Sequence, residues 1–263
     1  MSTHTNKLAP PASSIEQFET SSIIRFGALN NYIQEKLFTD TFVIQGNLGL
    51  ARGLKFYLKN QQTRLQSLPQ IKILDVGPGI GALTTLLALQ ELGRIDLLQK
   101  TKVILLDISE RVIERTQKRD FTFPSMIIEE TFRPLIKTKL RLSKGINAHA
   151  KKIPLKDQTI DISLAGFLFG HLHKNSKEAA AQEIQRVTKP SGFIGITDAH
   201  HKNQEDYLAL HRDDEIPLAY QDSISYARLR RLFPKVEIFD ARNGLKNRRP
   251  EPYYYFSGMK RAS

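Results

Sequence analysis

The segment from Ile71 to Thr84, IKILDVGPGIGALT, limits the folds open to this chain more than any other. A short apolar run rich in β-branched residues suits a strand buried on both faces, as in a parallel sheet. It leads directly into three closely spaced glycines, Gly77, Gly79 and Gly81, and then into a helical pattern. Strand, tight turn and helix in that order are the unit from which α/β sheets are built. The glycines let a ligand approach the backbone where no side chain intervenes, and the helix that follows presents unpaired N–H groups. The expected ligand is polar and nucleotide-like.

Asp75 narrows this. A carboxylate at the end of a buried strand costs free energy unless it is paired, so its place two residues before the first glycine predicts a cation or a hydrogen-bond donor in the ligand. It would repel a pyrophosphate. The glycine spacing also fits the dinucleotide pattern, with Ala82 as the third small residue, and Asp75 is what favours the other reading.

With Asp75 and its glycines, the segment resembles the first motif of the class I, Rossmann-like S-adenosylmethionine-dependent methyltransferases. Three later stretches fall in the family's order: VILLDIS (103–109), AHAKKIPLKDQTIDIS (148–163) and RVTKPSGFIGITD (186–198). The resemblance implies a doubly wound, mostly parallel seven-stranded α/β sheet with an antiparallel last strand. It implies S-adenosylmethionine as cofactor, its methionine part held by Asp75, Gly77, Pro78, Gly79 and Gly81. Asp107 would bind the ribose hydroxyls, Ile108, His149 and Ala150 would border the adenine, and Gly166 and Phe167 would lie against the cofactor. His149 departs from the pattern, standing where the family has an aspartate. It could accept a hydrogen bond from the adenine amino group only when neutral and in the right tautomer.

Size and charge set the remaining bounds. A chain of 263 residues with 40% hydrophobic content can build one large α/β domain with an accessory element. The division expected is a tail and helical cap over 1–66 and a cofactor-binding domain over 67–263. No cysteine is present, which excludes disulfides, thiolate zinc sites and a cysteine nucleophile. With no apolar run of membrane-spanning length and no signal-peptide core in the first residues, the expected location is cytoplasmic. The net charge of +12 is concentrated in residues 132–263, which carry 24 basic and 14 acidic side chains. Anionic partners are plausible on that ground, and a generally soluble surface explains it as well.

Along the chain, helices are expected near 28–38 and 48–65, where Leu50, Leu54, Leu58 and Leu65 share a face. By resemblance such an extension covers the cofactor cleft, bringing Phe26, Tyr32, Phe38 or Phe42 toward substrate. Strands are expected at 71–76, 102–107, about 140–147, 160–165, 193–198, 235–241 and 253–259. Helices are expected at 81–92, 110–118 and 177–187, the last capped by Asn175 or Ser176. The basic residues Arg133, Lys137, Lys139, Arg141 and Lys144 could meet a phosphate or simply form a solvated helix face.

A histidine at the carboxyl end of the sheet can take a proton from an acceptor, and His171 and His200 are the candidates for catalysis. Asp198 lies beside the second of these. No metal site is expected, because His200, His201 and the nearby acids match no familiar ligand spacing. The reading is a methyltransferase acting on an oxygen or nitrogen of a small molecule, and the basic half would suit an anionic one. An RNA, DNA or protein methyltransferase using the basic half is the alternative. Neither Asn-Pro-Pro-Tyr nor Pro-Cys follows the fourth strand, which weighs against base methylation. A cofactor-binding subunit without chemistry and a nicotinamide reductase complete the alternatives.

Overall fold

The computed structural model describes residues 41–78, 83–118, 129–172, 174–199, 230–238 and 253–261. Two helices, α1 (Thr41–Asn60) and α2 (Gln62–Ser67), precede the first strand, β1 (Ile71–Val76). Then come α3 (Leu83–Glu91), α4 (Ile95–Lys100), β2 (Thr101–Asp107), α5 (Glu110–Lys118), α6 (Arg133–Arg141) and β3 (Lys144–Asn147). The second half holds β4 (Ile160–Gly166), a 3-10 turn (Phe169–His171), α7 (Lys174–Val187), β5 (Thr188–Ala199), β6 (Val236–Ile238) and β7 (Tyr253–Lys260).

The strands form one seven-stranded sheet in the order β3-β2-β1-β4-β5-β7-β6. The first five are parallel to one another, and β7 runs antiparallel to both β5 and β6. This is the expected doubly wound α/β fold with its antiparallel last strand. The direction of winding reverses between β1 and β4, which opens a crevice at their carboxyl ends where open α/β sheets bind ligands.

Alternation along the strands divides the core between the two faces. Ile71, Ile73, Val103, Leu105, Ile162 and Leu164 pack with α1, α3, α4 and α6, while Leu74, Val76, Ile104, Leu106, Ile194 and Ile196 pack with α7. Helix α3 is buried from Leu83 to Leu89 without a break. A helix apolar all round needs cover on every side, and α1 supplies it by packing on α3, β5 and β7. Leu50, Leu54, Tyr57, Leu58 and Leu65 accordingly lie in the same core as β1.

Polar groups lock the amino end of the sheet. Asp161 is fully buried; it accepts from Lys189 Nζ at 2.8 Å and from the Lys72 N–H at 3.0 Å, and Arg64 lies 3.9 Å away. Lys139 donates to the carbonyls of Gln99 and Thr101. The expected strand at 140–147 is shortened to 144–147, because α6 continues through Arg141. Helix α6 therefore sits by the start of β2, away from the crevice.

Candidate active site

Strand parity aims the site. Asp75 shares a face with Ile71 and Ile73, and Asp107 shares that face with Val103 and Leu105. Asp75 pairs in register with Leu105, so Asp107 stands two residues further along the neighbouring strand, level with the glycine turn. The Gly77 N–H donates to the Leu106 carbonyl at 2.8 Å. Gly77 has φ 66°, and a Cβ there would meet Leu168 Cδ1 at 2.8 Å. The positive φ is what favours glycine here.

Asp75 is fully buried. Its Oδ2 accepts from the hydroxyls of Thr84, at 2.7 Å, and Thr85, at 2.5 Å, both in the first turn of α3. Its Oδ1 is buried with no hydrogen-bond partner among the described residues. Burial pushes the Asp75 carboxyl up to about 6, against the opposing pull of the threonine hydrogen bonds. An unpaired buried acceptor costs about 1–3 kcal/mol, so this oxygen is poised for a donor or a cation. Asp107 is also pushed up to about 6, by burial first and further by the charge of Asp75, while the Ser109 N–H donating to Oδ1 at 2.8 Å works the other way.

At the adjoining strand, the Ala148 N–H donates to the Asp107 carbonyl at 3.0 Å, and Asn147 Nδ2 donates to the carbonyls of Asp107 and Ile108. His149 and Ala150 follow immediately, with Ala150 buried and Ile108 40% exposed. Pro78 is buried. On the other side of the crevice, a Cβ at Gly166 would lie 2.4 Å from Thr84 Cγ2 and 3.3 Å from Asn47 Oδ1. Phe167 takes φ 54°, and its N–H donates to the Thr197 carbonyl at 2.7 Å. Such a backbone is uncommon for a bulky residue and marks strain; here it carries the chain over so that Leu168 covers Gly77.

The structure thus brings Asp75, Gly77, Pro78, Asp107, Ile108, His149, Ala150, Gly166 and Phe167 to one end of the sheet. Gly79, Gly81 and His200 lie outside the described residues, as do Phe26, Tyr32 and Phe38. His171 ends the 3-10 turn, which is fixed by the Gly170 N–H donating to Asp198 Oδ2 at 2.7 Å. Asp198 is buried at the end of β5.

Sequence reasoning missed Thr84, Thr85, Leu168 and Asn47. Asn47 left a signal. It stands at 2% exposure in the apolar stripe continued by Leu50, Ala51 and Leu54, and a polar residue on such a stripe calls for a partner. The threonines and Leu168 left none, because their roles depend on which strand ends meet.

An open α/β sheet with a glycine turn, a buried carboxylate oxygen that has no partner among the described residues and a second acid on the next strand suits a polar ligand that brings donor groups. Residues 74–196 match the family described as a methyltransferase domain. Among solved structures, the 1,6-didemethyltoxoflavin-N1-methyltransferase of Burkholderia thailandensis aligns at a TM-score of 0.51 and 13% identity, over 99% of each chain. A possible histamine N-methyltransferase from Thermotoga maritima aligns at 0.51 and 17%, over 90% of this chain and 98% of its own. No curated protein sequence matches.

Residues 74–196 thus resemble a methyltransferase domain, the rest of the chain shares its doubly wound α/β fold with solved methyltransferases, and the cofactor that such a domain implies is S-adenosylmethionine. The residues present fit that group. Asp75 Oδ1 has no hydrogen-bond partner among the described residues and can take a donor or a cation, and Asp107 offers an acceptor on the same face. Among the described residues no helix is long and apolar enough to cross a membrane.

Proposed function

We propose that the chain transfers the methyl group of S-adenosylmethionine to an oxygen or nitrogen of a small molecule. The observation that carries this is the roof: α1, which precedes the first strand, lays Asn47 against Gly166 at the crevice. A site covered from that side suits a small acceptor better than a polymer. The two aligned structures are named for N-methylation of small molecules, and at their low identity that supports the reading without naming an acceptor.

In this reading Asp75, Gly77, Pro78, Gly79 and Gly81 hold the methionine part and Asp107 takes the ribose hydroxyls. Ile108, His149 and Ala150 border the base, and Gly166 and Phe167 face the reacting end. The bound cofactor supplies a methyl group already activated on a sulfonium. What the protein adds is alignment and exclusion of water, and such positioning is worth about 7–11 kcal/mol. His171 and His200 are the candidates to take the acceptor's proton, a contribution of about 10²–10⁴-fold. Asp198 positions the turn that carries His171.

The test is calorimetry with S-adenosylmethionine, S-adenosylhomocysteine and NAD, followed by turnover on a panel of small molecules. Binding of the first two and not the third is expected. Asp107→Ala should weaken S-adenosylhomocysteine about 10–150-fold, the equivalent of about 1.5–3 kcal/mol for hydrogen bonds to a charged group. Unchanged affinity in a folded Asp107→Ala protein would remove the ribose site from β2.

A further inference from the structure

Four threonines in or just after helices, Thr101, Thr116, Thr138 and Thr188, donate to the carbonyl four residues back. A hydroxyl on a helix commonly turns back in this way. Thr84 and Thr85 do otherwise: both are buried, and both send their hydroxyl hydrogen out of α3 to the same oxygen of Asp75, Oδ2. A carboxylate can accept at either oxygen, so placing both donors on Oδ2 leaves Oδ1 buried with no partner among the described residues. Packing fixes the arrangement. A Cβ at Gly166 would lie 2.4 Å from Thr84 Cγ2, so the Thr84 methyl sits against the end of β4. A branched side chain held at its methyl is held at its hydroxyl too, since one rotation sets both.

We propose that Thr84 and Thr85 are positioning residues for the cofactor, holding Asp75 through Oδ2 so that Oδ1 is presented to the ammonium group of the methionine part. The proposal rests on the placement of that part at Asp75 given under the proposed function. The same hydroxyls also support the charge. Burial pushes the Asp75 carboxyl up, and the two threonine hydrogen bonds pull against it. Removing either donor leaves less of the group ionised at a given pH, and the ionised form is the one that attracts an ammonium.

The test replaces each threonine in the full chain by valine, which keeps the shape and deletes the donor, and by serine, which keeps the donor. Calorimetry from pH ~5 to ~9 uses S-adenosylhomocysteine and its analogue with hydrogen in place of the methionine-part amino group. Wild-type affinity for S-adenosylhomocysteine should fall below pH ~6. Thr84→Val or Thr85→Val should move that fall up by about one pH unit and weaken binding about 3–10-fold at pH ~6.5, the consequence of one lost hydrogen bond to a charged group. The serine variants should stay within about twofold of wild type. With the amino-lacking analogue the valine variants should also stay within about twofold. Wild-type affinity in both valine variants across the pH range overturns the proposal, as does an equal loss with the two ligands, which a merely structural role would give. Thr85→Ala carries the same expectations should a valine variant not fold. Carbon-13 NMR of the cofactor-free protein is the independent readout. The Asp75 carboxyl should titrate at higher pH in Thr85→Val than in wild type, and its own signal separates it from Asp107, which is also pushed up to about 6. An unchanged Asp75 titration overturns the proposal whatever binds. Failure of the wild-type protein to bind S-adenosylhomocysteine would instead overturn the cofactor placement.

Discussion

Ser191 occupies a left-handed backbone, φ 59°, near the start of β5, where its register to β4 shifts. Its carbonyl accepts from Tyr57 and Arg64, so the strain is held by contacts that do not involve its side chain. Ser191→Gly should keep those bonds, relieve the Cβ clash and stabilise the protein by about 0.5–1 kcal/mol, read from urea midpoints. Asp75 makes a larger claim. Its folded value near 6 lies above the ordinary 3.8, so protonation favours the fold. That contribution is complete below pH ~4 and lost as the pH rises through 6. Asp75→Asn should therefore stabilise the cofactor-free protein at pH 8 by about 1–3 kcal/mol and change little at pH 4. The same variant should bind cofactor poorly, and wild-type affinity should fall as the pH drops below 6. Equal stabilisation at both pH values would show that the carboxylate is not destabilised in the fold.

Between elements, the decisive contact for the site is the clamp on the loop that follows β3. Arg186 of α7 donates to Glu183 and Asp157 and to the carbonyls of Ile153 and Leu155, while Glu183 accepts from the Ile153 N–H. The Arg186 hydrogen bonds hold the Glu183 carboxyl below its usual range. One helix thereby pins the segment just downstream of His149 and Ala150. Arg186→Met should cost about 1.5–3 kcal/mol, since it strips partners from Glu183 and two carbonyls at once. It should weaken S-adenosylhomocysteine as well, a loss that a purely peripheral helix contact would not produce. Calorimetry on the folded variant separates the two effects.

For the molecule as a whole, the sheet sets the basic helix α6 at the end opposite the candidate site. The glycine turn, both acids, Gly166 and the turn before α7 lie at the carboxyl ends of the strands. Lys139 of the basic helix α6 is committed to the carbonyls of Gln99 and Thr101 at the other end. A nucleic acid drawn to α6 would not thereby reach the crevice. Binding of RNA or duplex DNA should accordingly be weak at physiological salt and fall linearly with log salt, with a slope of about 0.9 for each duplex phosphate contacted. A nanomolar complex with one RNA under those conditions would favour the macromolecular alternative.

The sequence alone determined most strands of the sheet, and it gave the cofactor only through resemblance. Ile71–Val76 reads as a buried strand because it is mostly apolar and rich in β-branched residues, and Asp75 with three glycines predicts a polar ligand at its end that brings a donor or cation, since local backbone freedom and the cost of burying a charge need no tertiary context. The antiparallel last strand was legible only through resemblance, and β3 was drawn too long because no local signal says where α6 stops. Other matters were decided by tertiary structure alone. Thr84 and Thr85 became partners of Asp75 when α3 packed on the face to which strand alternation directs that carboxylate. Asn47 reached Gly166, 119 residues away, because α1 covers α3. Leu168 closed over Gly77 when the crossover from β3 to β4 set the β4 end beside β1. Side chains from distant segments meet only where the strand order brings them together, and strand order is a property of the assembled sheet.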